Sequence, residues 1–208
     1  MNISILFKII KDEGALGIVD RLKQKVLTKT FGYILILDEI DYEQKYEYKL
    51  LSMTMEILNN MMNENRNEIE IDKFNILINR IENNKFQKAF IVKNNEEQIC
   101  GYFHMSYKDA RDGCINYNIK VNSDTVYLFD DYTFEKFRGK GVHKFSIIAR
   151  LKIAKLQGYK KAIVNIISNN IHSEKSYINI GFKKNIKYIY YHILKFNKTF
   201  EKVITNEY

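Results

Sequence analysis

The stretch Thr125-Val126-Tyr127-Leu128-Phe129-Asp130-Asp131-Tyr132-Thr133-Phe134, continued by Glu135-Lys136-Phe137-Arg138-Gly139-Lys140-Gly141-Val142, decides the fold. Its first part is rich in aromatic and β-branched residues and reads as a strand. A loop with two glycines follows, and a helical pattern begins directly after it, with Val142, Phe145, Ile148, Ala149 and Ile153 on one face. Such a strand, loop and helix aim several backbone N–H groups and the positive end of a helix dipole into one small space, where a pyrophosphate is best held. Glycine lets the backbone approach the anion and take positive φ. Arg138 and Lys140 add positive charge beside the loop. Taken alone, R-G-K-G also fits an ordinary surface turn.

Downstream, Ala162, Val164 and Ile166 alternate as in a buried strand, and Ser168-Asn169-Asn170 supplies a polar helix start. The helix is expected from about Ile171 to Ile180, with Gly181 as its stop. Asn170, Ser173 and Tyr177 then share one helical face. A phenol with pKa of about 10 is protonated at neutral pH and can hand a proton to a developing thiolate. The bland alternative is a packed tyrosine in a chain that has 15 of them.

Arg138-Gly139-Lys140-Gly141-Val142 resembles the coenzyme A pyrophosphate loop of the GCN5-related N-acetyltransferase (GNAT) family, written R/Q-x-x-G-x-G/A. Asn170, Ser173, Tyr177 and Gly181-Phe182 resemble that family's downstream signature. The resemblance covers about Gln87 to Phe196 and is specific from Thr125 to Phe182. It implies an α/β (α+β) fold, a mixed, mostly antiparallel sheet with helices on both faces, whose fourth and fifth strands splay apart to admit the coenzyme. It implies acetyl-CoA as cosubstrate. The pyrophosphate would lie on Arg138, Gly139, Lys140, Gly141, Val142, His143 and Lys144, the pantetheine arm along the backbone of Tyr132, Thr133 and Phe134, and Asn170, Ser173 and Tyr177 alongside. One departure is visible: His143 stands where the family most often has its last Gly or Ala. Its ring would crowd the first helical turn or meet a phosphate, while a helix-surface histidine without a role is the preferred reading.

The reaction implied is acetyl transfer from acetyl-CoA to a primary amine of a small molecule, with Tyr177 as proton donor to the thiolate. A protonated amine cannot attack a thioester, so a base or water chain must take its proton. Candidate bases are Asp131, preferred, and Asp130. Adjacent strand residues point to opposite faces, so at most one of the pair is expected in the site. His104 is a second candidate, with a more suitable intrinsic pKa and a core or edge histidine as its alternative. An amino sugar in surface-polysaccharide or secondary-metabolite assembly is the narrower acceptor. The alternatives are a protein or peptide amine, and a coenzyme-A-binding sensor without turnover, for which His143 is the hint.

The rest of the chain sets bounds. It has 208 residues, 46% of them hydrophobic, enough for one domain over residues 1–208. Cys100 and Cys114 make no disulfide framework, which points to a reducing, cytoplasmic setting. His104, His143, His172 and His192 show no metal-ligand spacing, so no metal is expected. The net charge of +8 is mostly lysine and is not accompanied by a nucleic-acid motif, so no nucleic-acid partner is expected. Residues 1–30 read as a basic, amphipathic helical extension with no secretory signal and no membrane span; it packs on the parent domain or touches an anionic membrane surface. Tyr33 to Leu37 reads as a first strand. Tyr42 to Asn84 reads as helical, with a weakly ordered centre at Asn59 to Glu68, and Met53, Met55, Met61 and Met62 read as helix core rather than an adaptable pocket. Strands follow at Ala89 to Val92, Ile99 to Tyr107 and Cys114 to Val121, with a hairpin loop at Asn94 to Glu97. A last strand covers Tyr188 to Phe196, and the tail from Asn197 is expected to fray.

Overall fold

Strand β7 (Thr125–Thr133) is central because both its faces are apolar. Val126 and Leu128 point to one side and Tyr127 and Phe129 to the other, and all four are buried. The computed structural model describes residues 27–39, 47–193 and 196–204. In these, β1 (Leu27–Ile36), β2 (Tyr48–Ser52), β3 (Gln87–Asn94), β4 (Ile99–Ser106), β8 (Lys161–Ile167), β9 (Lys183–Ile193) and β10 (Phe196–Val203) join β7 in one eight-stranded sheet, ordered β10-β9-β1-β8-β7-β4-β3-β2. The short strands β5 (Ala110–Asp112) and β6 (Tyr117–Ile119) form a separate hairpin. Only β7 and β8 run parallel; every other pair in the sheet is antiparallel.

Helices α1 (Met55–Glu64), α2 (Ile71–Asn83), α3 (Val142–Leu156) and α4 (Ile171–Ile178) flank this sheet. On the Val126 and Leu128 side, α3 lays Ile147, Leu151 and Ala154 against Leu35, Ala162 and Val164, and α4 adds Tyr177. A fully buried aliphatic side chain of this kind contributes roughly 1.5–3 kcal/mol. On the other side, α2 brings Arg80 over the Phe129 ring and Lys73 over the Tyr102 ring. The β5–β6 hairpin covers Tyr127, Phe129 and Tyr188 with Ala110, Ile115 and Ile119.

The opening in the sheet lies between β7 and β8. They pair only from Thr125↔Lys161 to Leu128↔Val164, although β7 continues to Thr133 and β8 to Ile167. Beyond Leu128 each strand keeps its outer neighbour, β4 for β7 and β1 for β8, and the two diverge. The splay coincides with a bulge. His104 pairs with Phe129 and Tyr102 with Tyr132, so two residues of β7, Asp130 and Asp131, oppose the single residue Phe103. Asp130 has φ of 51°, a left-handed conformation that Asp tolerates better than most residues.

Several expectations need correction. Residues 27–30 belong to β1, not to an N-terminal helix, because Leu27 to Ile36 pairs on both edges, with β8 and with β9. The helical extension over residues 1–26, and with it any membrane contact there, lies outside the described residues. Tyr42 to Asn84 is not helical throughout. Tyr48 to Ser52 adds an edge strand to β3. The segment Asn59 to Glu68 is ordered, with α1 started by Thr54, whose Oγ1 accepts from the Ile57 amide at 3.2 Å. At its end, Asn65 returns its side-chain amide to the Met61 carbonyl at 3.0 Å. Met61 is a helix-core residue, as expected, while Met53 is buried in the same cluster from the turn between β2 and α1. The chain beyond Asn197 does not fray at once: it forms β10, paired with β9 from Phe196↔Ile193 to Val203↔Ile186. Among the described residues no helix is long and apolar enough to cross a membrane.

Candidate active site

The loop between β7 and α3 is built to present backbone amides. Gly139 and Gly141 have φ of 74° and 83°, and a β-carbon on Gly139 would meet no atom within 4 Å, so that side of the loop is open. Gly141 is the N-cap of α3 and provides no side-chain cap. The first amides of the helix, Val142, His143 and Lys144, therefore lack an intrahelical acceptor. The loop is held from behind. Phe134 and Phe137 are buried, the Phe134 amide donates to the Cys100 carbonyl at 3.0 Å, and the Tyr48 hydroxyl donates to the Lys140 carbonyl at 2.8 Å. One Glu68 oxygen accepts from the Tyr132 hydroxyl at 3.0 Å and from the Glu135 amide at 2.9 Å. Arg138 folds back over the Tyr132 ring and donates to the Thr133 carbonyl at 3.2 Å.

Both half-sites open onto one cleft of about 690 Å³. Asp131, Tyr132, Thr133, Arg138, Gly139, Gly141, Val142, His143 and Lys144 line it from one side, and Asn170 and Ser173 from the other. Three of the residues named for the coenzyme stand outside this lining: Phe134, Lys140 and Tyr177. Phe134 is wholly buried under the loop, and Lys140 is exposed with its ammonium 5.6 Å from the Phe137 ring. Through the splay a second cavity of about 400 Å³ opens on the α2 side. The two share Asp131, Asn170 and Ser173, and Tyr177 lines the second. Asn170 is fixed as the N-cap of α4, its Oδ1 accepting from the Ser173 amide at 3.1 Å.

Asp131 is the hub. Arg150, fully buried on α3, holds it with two bonds of 2.8 and 2.7 Å and also donates to the Ser146 and His104 carbonyls. The Tyr177 hydroxyl donates to Asp131 Oδ2 at 2.8 Å, and His143 Nε2 lies 3.2 Å from the same oxygen. Burial would raise the Asp131 carboxyl, but the charge of Arg150 and the His143 contact outweigh it and hold it far below the usual carboxylate range. Burial and the Asp131 charge push the Tyr177 phenol well above its ordinary value, so it stays protonated. His143 is not a helix-surface residue. Its ring meets Tyr177 edge-on at 5.5 Å, stacks near Phe103 at 6.4 Å, and is turned to Asp131.

The bulge also overturns the expectation that one of Asp130 and Asp131 would face away: both line the second cavity. Asp130 is paired with Lys73 at 2.6 Å and with Arg80. Burial alone would raise its carboxyl. His104, Arg80 and Lys73 bring it down to about 2, and because His104 is itself neutral near pH 7, the two basic side chains hold it there. His104 does not reach the cavity. It is 0% exposed, its Nδ1 lies 3.0 Å from the Asp130 carbonyl, and its Nε2 has no partner among the described residues. Burial, with the Arg80 charge behind it, lowers its pKa to about 4.

Sequence reasoning missed Arg150, Lys73, Arg80, Arg111, Asp112, Tyr48 and Glu68. Arg150 did carry a signal, a lone charge inside the apolar stripe of Ile147, Leu151 and Ala154. Lys73 and Arg80 lie seven apart on α2 and so share a face, but nothing in sequence says that the face meets Asp130.

No protein-family model matches the chain, and no curated protein matches it in sequence. Solved structures match it in fold. A GCN5-related glucosamine N-acetyltransferase region of a fungal multidomain GH3 β-N-acetylglucosaminidase covers 86% of this chain and 23% of its own, with TM-score 0.61 and 10% identity. A GCN5-related N-acetyltransferase from Sphaerobacter thermophilus covers 92% of this chain and 57% of its own, with TM-score 0.57 and 8% identity. A conserved protein of unknown function from Staphylococcus epidermidis ATCC 12228 covers 86% and 66%, with TM-score 0.55 and 11% identity. The chain spans less than two thirds of the length of each. The described residues have the GNAT fold.

Proposed function

We propose that this chain is an acyl-CoA-dependent N-acetyltransferase acting on a primary amine of a small molecule. The observation that carries the proposal is the meeting of two cavities at Asp131, Asn170 and Ser173 through the gap between β7 and β8. The 690 Å³ cleft suits a coenzyme A: uncapped α3 amides beside two left-handed glycines for a pyrophosphate, and the edge of β7 beyond Leu128, which has no strand partner on its β8 side, for an amide-bearing arm. When bound, acetyl-CoA would supply the activated acyl group and a thiolate as leaving group. Arg138 and Lys144 would steer the anion, and β7 amides would stabilise the negative charge that develops on the carbonyl oxygen.

Tyr177 is the group we assign to protonate the sulfur. It keeps its proton at any physiological pH, and its hydroxyl is held on the wall of the second cavity by Asp131, which Arg150 and His143 lock in turn. Neither Asp130 nor Asp131 serves as the base, since each is an ion-paired carboxylate too acidic to retain an amine's proton. His104 is sealed from the cavity. The amine thus reacts as the free base that solvent equilibration provides, and the site contributes proximity and polarisation. His143 does not argue for a sensor without turnover, because its ring joins the Tyr177 network. An amino sugar remains the narrower acceptor proposed.

Calorimetric titration with coenzyme A, followed by thiol release from acetyl-CoA across an amine panel, tests this. Saturable binding, lost in Gly141→Val, with release dependent on amine is the expected result. Absence of binding overturns the proposal, and binding without release from any amine reduces it to a coenzyme sensor.

A further inference from the structure

The 400 Å³ cavity on the α2 side has an unusual charge layout. Lys73 and Arg80 both reach it, yet they share one carboxylate, Asp130, which leaves a unit of positive charge there uncompensated. These groups are not freely solvated: the side chains of Lys73, Arg80 and Asp130 are 29%, 17% and 23% exposed. Arg111 adds a third cation on the same wall, and its partner, the Asn116 side-chain oxygen, is neutral. Asp131 does not shift the balance because Arg150 neutralises it. Opposite in sign is Asp112, whose carboxylate accepts from the Tyr127 hydroxyl at 3.3 Å, Asn165 Nδ2 at 3.2 Å and the Cys114 amide at 3.0 Å. All three donors are neutral, and Asp112 forms no ion pair with a described residue.

We propose that the acceptor carries an anionic group, a carboxylate or a phosphate, in addition to its amine, and that Lys73, Arg80 and Arg111 receive it. The proposal rests on the N-acetyltransferase reading for the identity of this cavity as the acceptor's. A simple amine brings only positive charge and would enter beside Lys73 and Arg80 with nothing to offset them. An anion-bearing amine satisfies both signs: its acidic group binds the surplus cations, and its ammonium approaches Asp112 and loses its proton to solvent before the free amine attacks. Guanidinium groups also suit planar, two-point recognition of carboxylate or phosphate.

The test separates this inference from the reaction it rests on. Binding of matched pairs is measured on the full chain by calorimetry with coenzyme A present: an α-amino acid against its amide, and glucosamine against glucosamine 6-phosphate. Thiol release from acetyl-CoA is measured separately on the same pairs. The acidic member of at least one pair is expected to bind tenfold or more tightly than its neutral partner, about 1.4 kcal/mol. The pair that shows the preference identifies carboxylate or phosphate. Arg111→Gln, at an exposed position, and Lys73→Gln are each expected to lose most of that preference through weaker binding of the acidic member. Equal binding of acidic and neutral members in both pairs overturns the inference whatever the release assay gives. A preference untouched by both substitutions overturns the assignment to this cavity. A preference without thiol release supports the anion site and counts against the transferase.

Discussion

His104 should make this fold lose stability in mildly acidic solution, over a window in which the two active-site carboxylates do not titrate. The ring is 0% exposed and sits between Arg80 and the β7 bulge, with Nδ1 against the Asp130 carbonyl, which fixes the proton on Nδ1. The unpartnered Nε2 is therefore a bare acceptor in a buried place. Protonating it puts a charge into that place, and its pKa falls from 6.5 to about 4, chiefly through burial and next through Arg80. Because the folded-state value lies below the unfolded one, the stabilisation is complete above the unfolded pKa and drains away as pH falls from there through the folded pKa. Near pH 4.5 the unfolded chain has taken up the proton and most folded molecules have not, which costs about 2 kcal/mol relative to pH 7, rising to about 3 kcal/mol once pH is well below 4. Asp130 and Asp131 titrate lower and stay out of this window. The assay is urea unfolding near pH 7 and near pH 4.5 for the parent chain and for His104→Asn, whose amide N–H can replace Nδ1–H but cannot titrate. The parent should lose about 2 kcal/mol more than the variant between the two conditions. Equal losses in both proteins would refute the reasoning, because acid destabilisation would then come from elsewhere.

The remaining predictions concern the network and the splay. Arg150→Met strips Asp131 of its buried guanidinium partner, leaving only Tyr177 and His143 beside it, and should cost about 3–5 kcal/mol in chemical denaturation, while Arg150→Met combined with Asp131→Leu should recover much of that loss. Tyr177→Phe should lower kcat for thiol release by about 10²-fold or more, the range of a proton-transfer contribution, with the dissociation constant of coenzyme A nearly unchanged. Gly101→Ala puts a β-carbon 2.3 Å from the Tyr132 carbonyl oxygen and 3.0 Å from Thr133 Cα, both backbone atoms. It should destabilise by about 1–3 kcal/mol and weaken coenzyme binding by moving the end of β7, read by thermal melting and calorimetry. With no carboxylate base in the site, kcat/KM should climb with pH toward the amine's own pKa, with no inflection from Asp130 or Asp131.

Most elements from Gln87 onward were legible because each is announced locally: a continuous apolar run marks β7, a period-two run marks β8, the two glycines mark the loop, and Asn170 and Gly181 bracket α4. The exceptions are the β5–β6 hairpin, where the single strand expected at Cys114 to Val121 is a turn followed by β6, and β10, where fraying was expected. What could not be read was where the N-terminal strand goes. Tyr33 to Leu37 looks like a strand in any context, but its place between β8 and β9 depends on pairings with residues more than a hundred positions away, such as Tyr33↔Val164 and Leu27↔Tyr191. β2 was hidden for a different reason. It has one partner strand, β3, and only alternate residues turned inward, so the exposed Lys49, Leu51 and Ser52 blur the alternation that Tyr48 and Leu50 begin.

The site divides along the same line, between what the backbone announces and what tertiary contact creates. The loop proposed as an anion cradle was legible in sequence because glycine spacing and a helix start are local facts, and Arg138, Gly139, Gly141, Asn170 and Ser173 do meet around one cleft. The orientation of Asp130 and Asp131 was not, because strict alternation along a strand assumes extended dihedrals, and the left-handed φ of Asp130 breaks it beside the gap between β7 and β8. The bulge does two things at once. It turns both carboxylates toward the same cavity, and it ends the β7–β8 pairing that would otherwise close the gap. Each carboxylate is then claimed by a basic side chain, Arg150 for Asp131 and Lys73 with Arg80 for Asp130, so a pair that sequence nominates as bases becomes a pair of anchors. The distinction matters for any attempt to identify the base by mutating acidic residues. Asp131→Asn should slow the reaction by releasing the Tyr177 hydroxyl and leaving Arg150 short of charge, and that loss would imitate the loss of a base. Only the pH profile separates the two, since an anchor leaves the position of its inflection unchanged and a base does not.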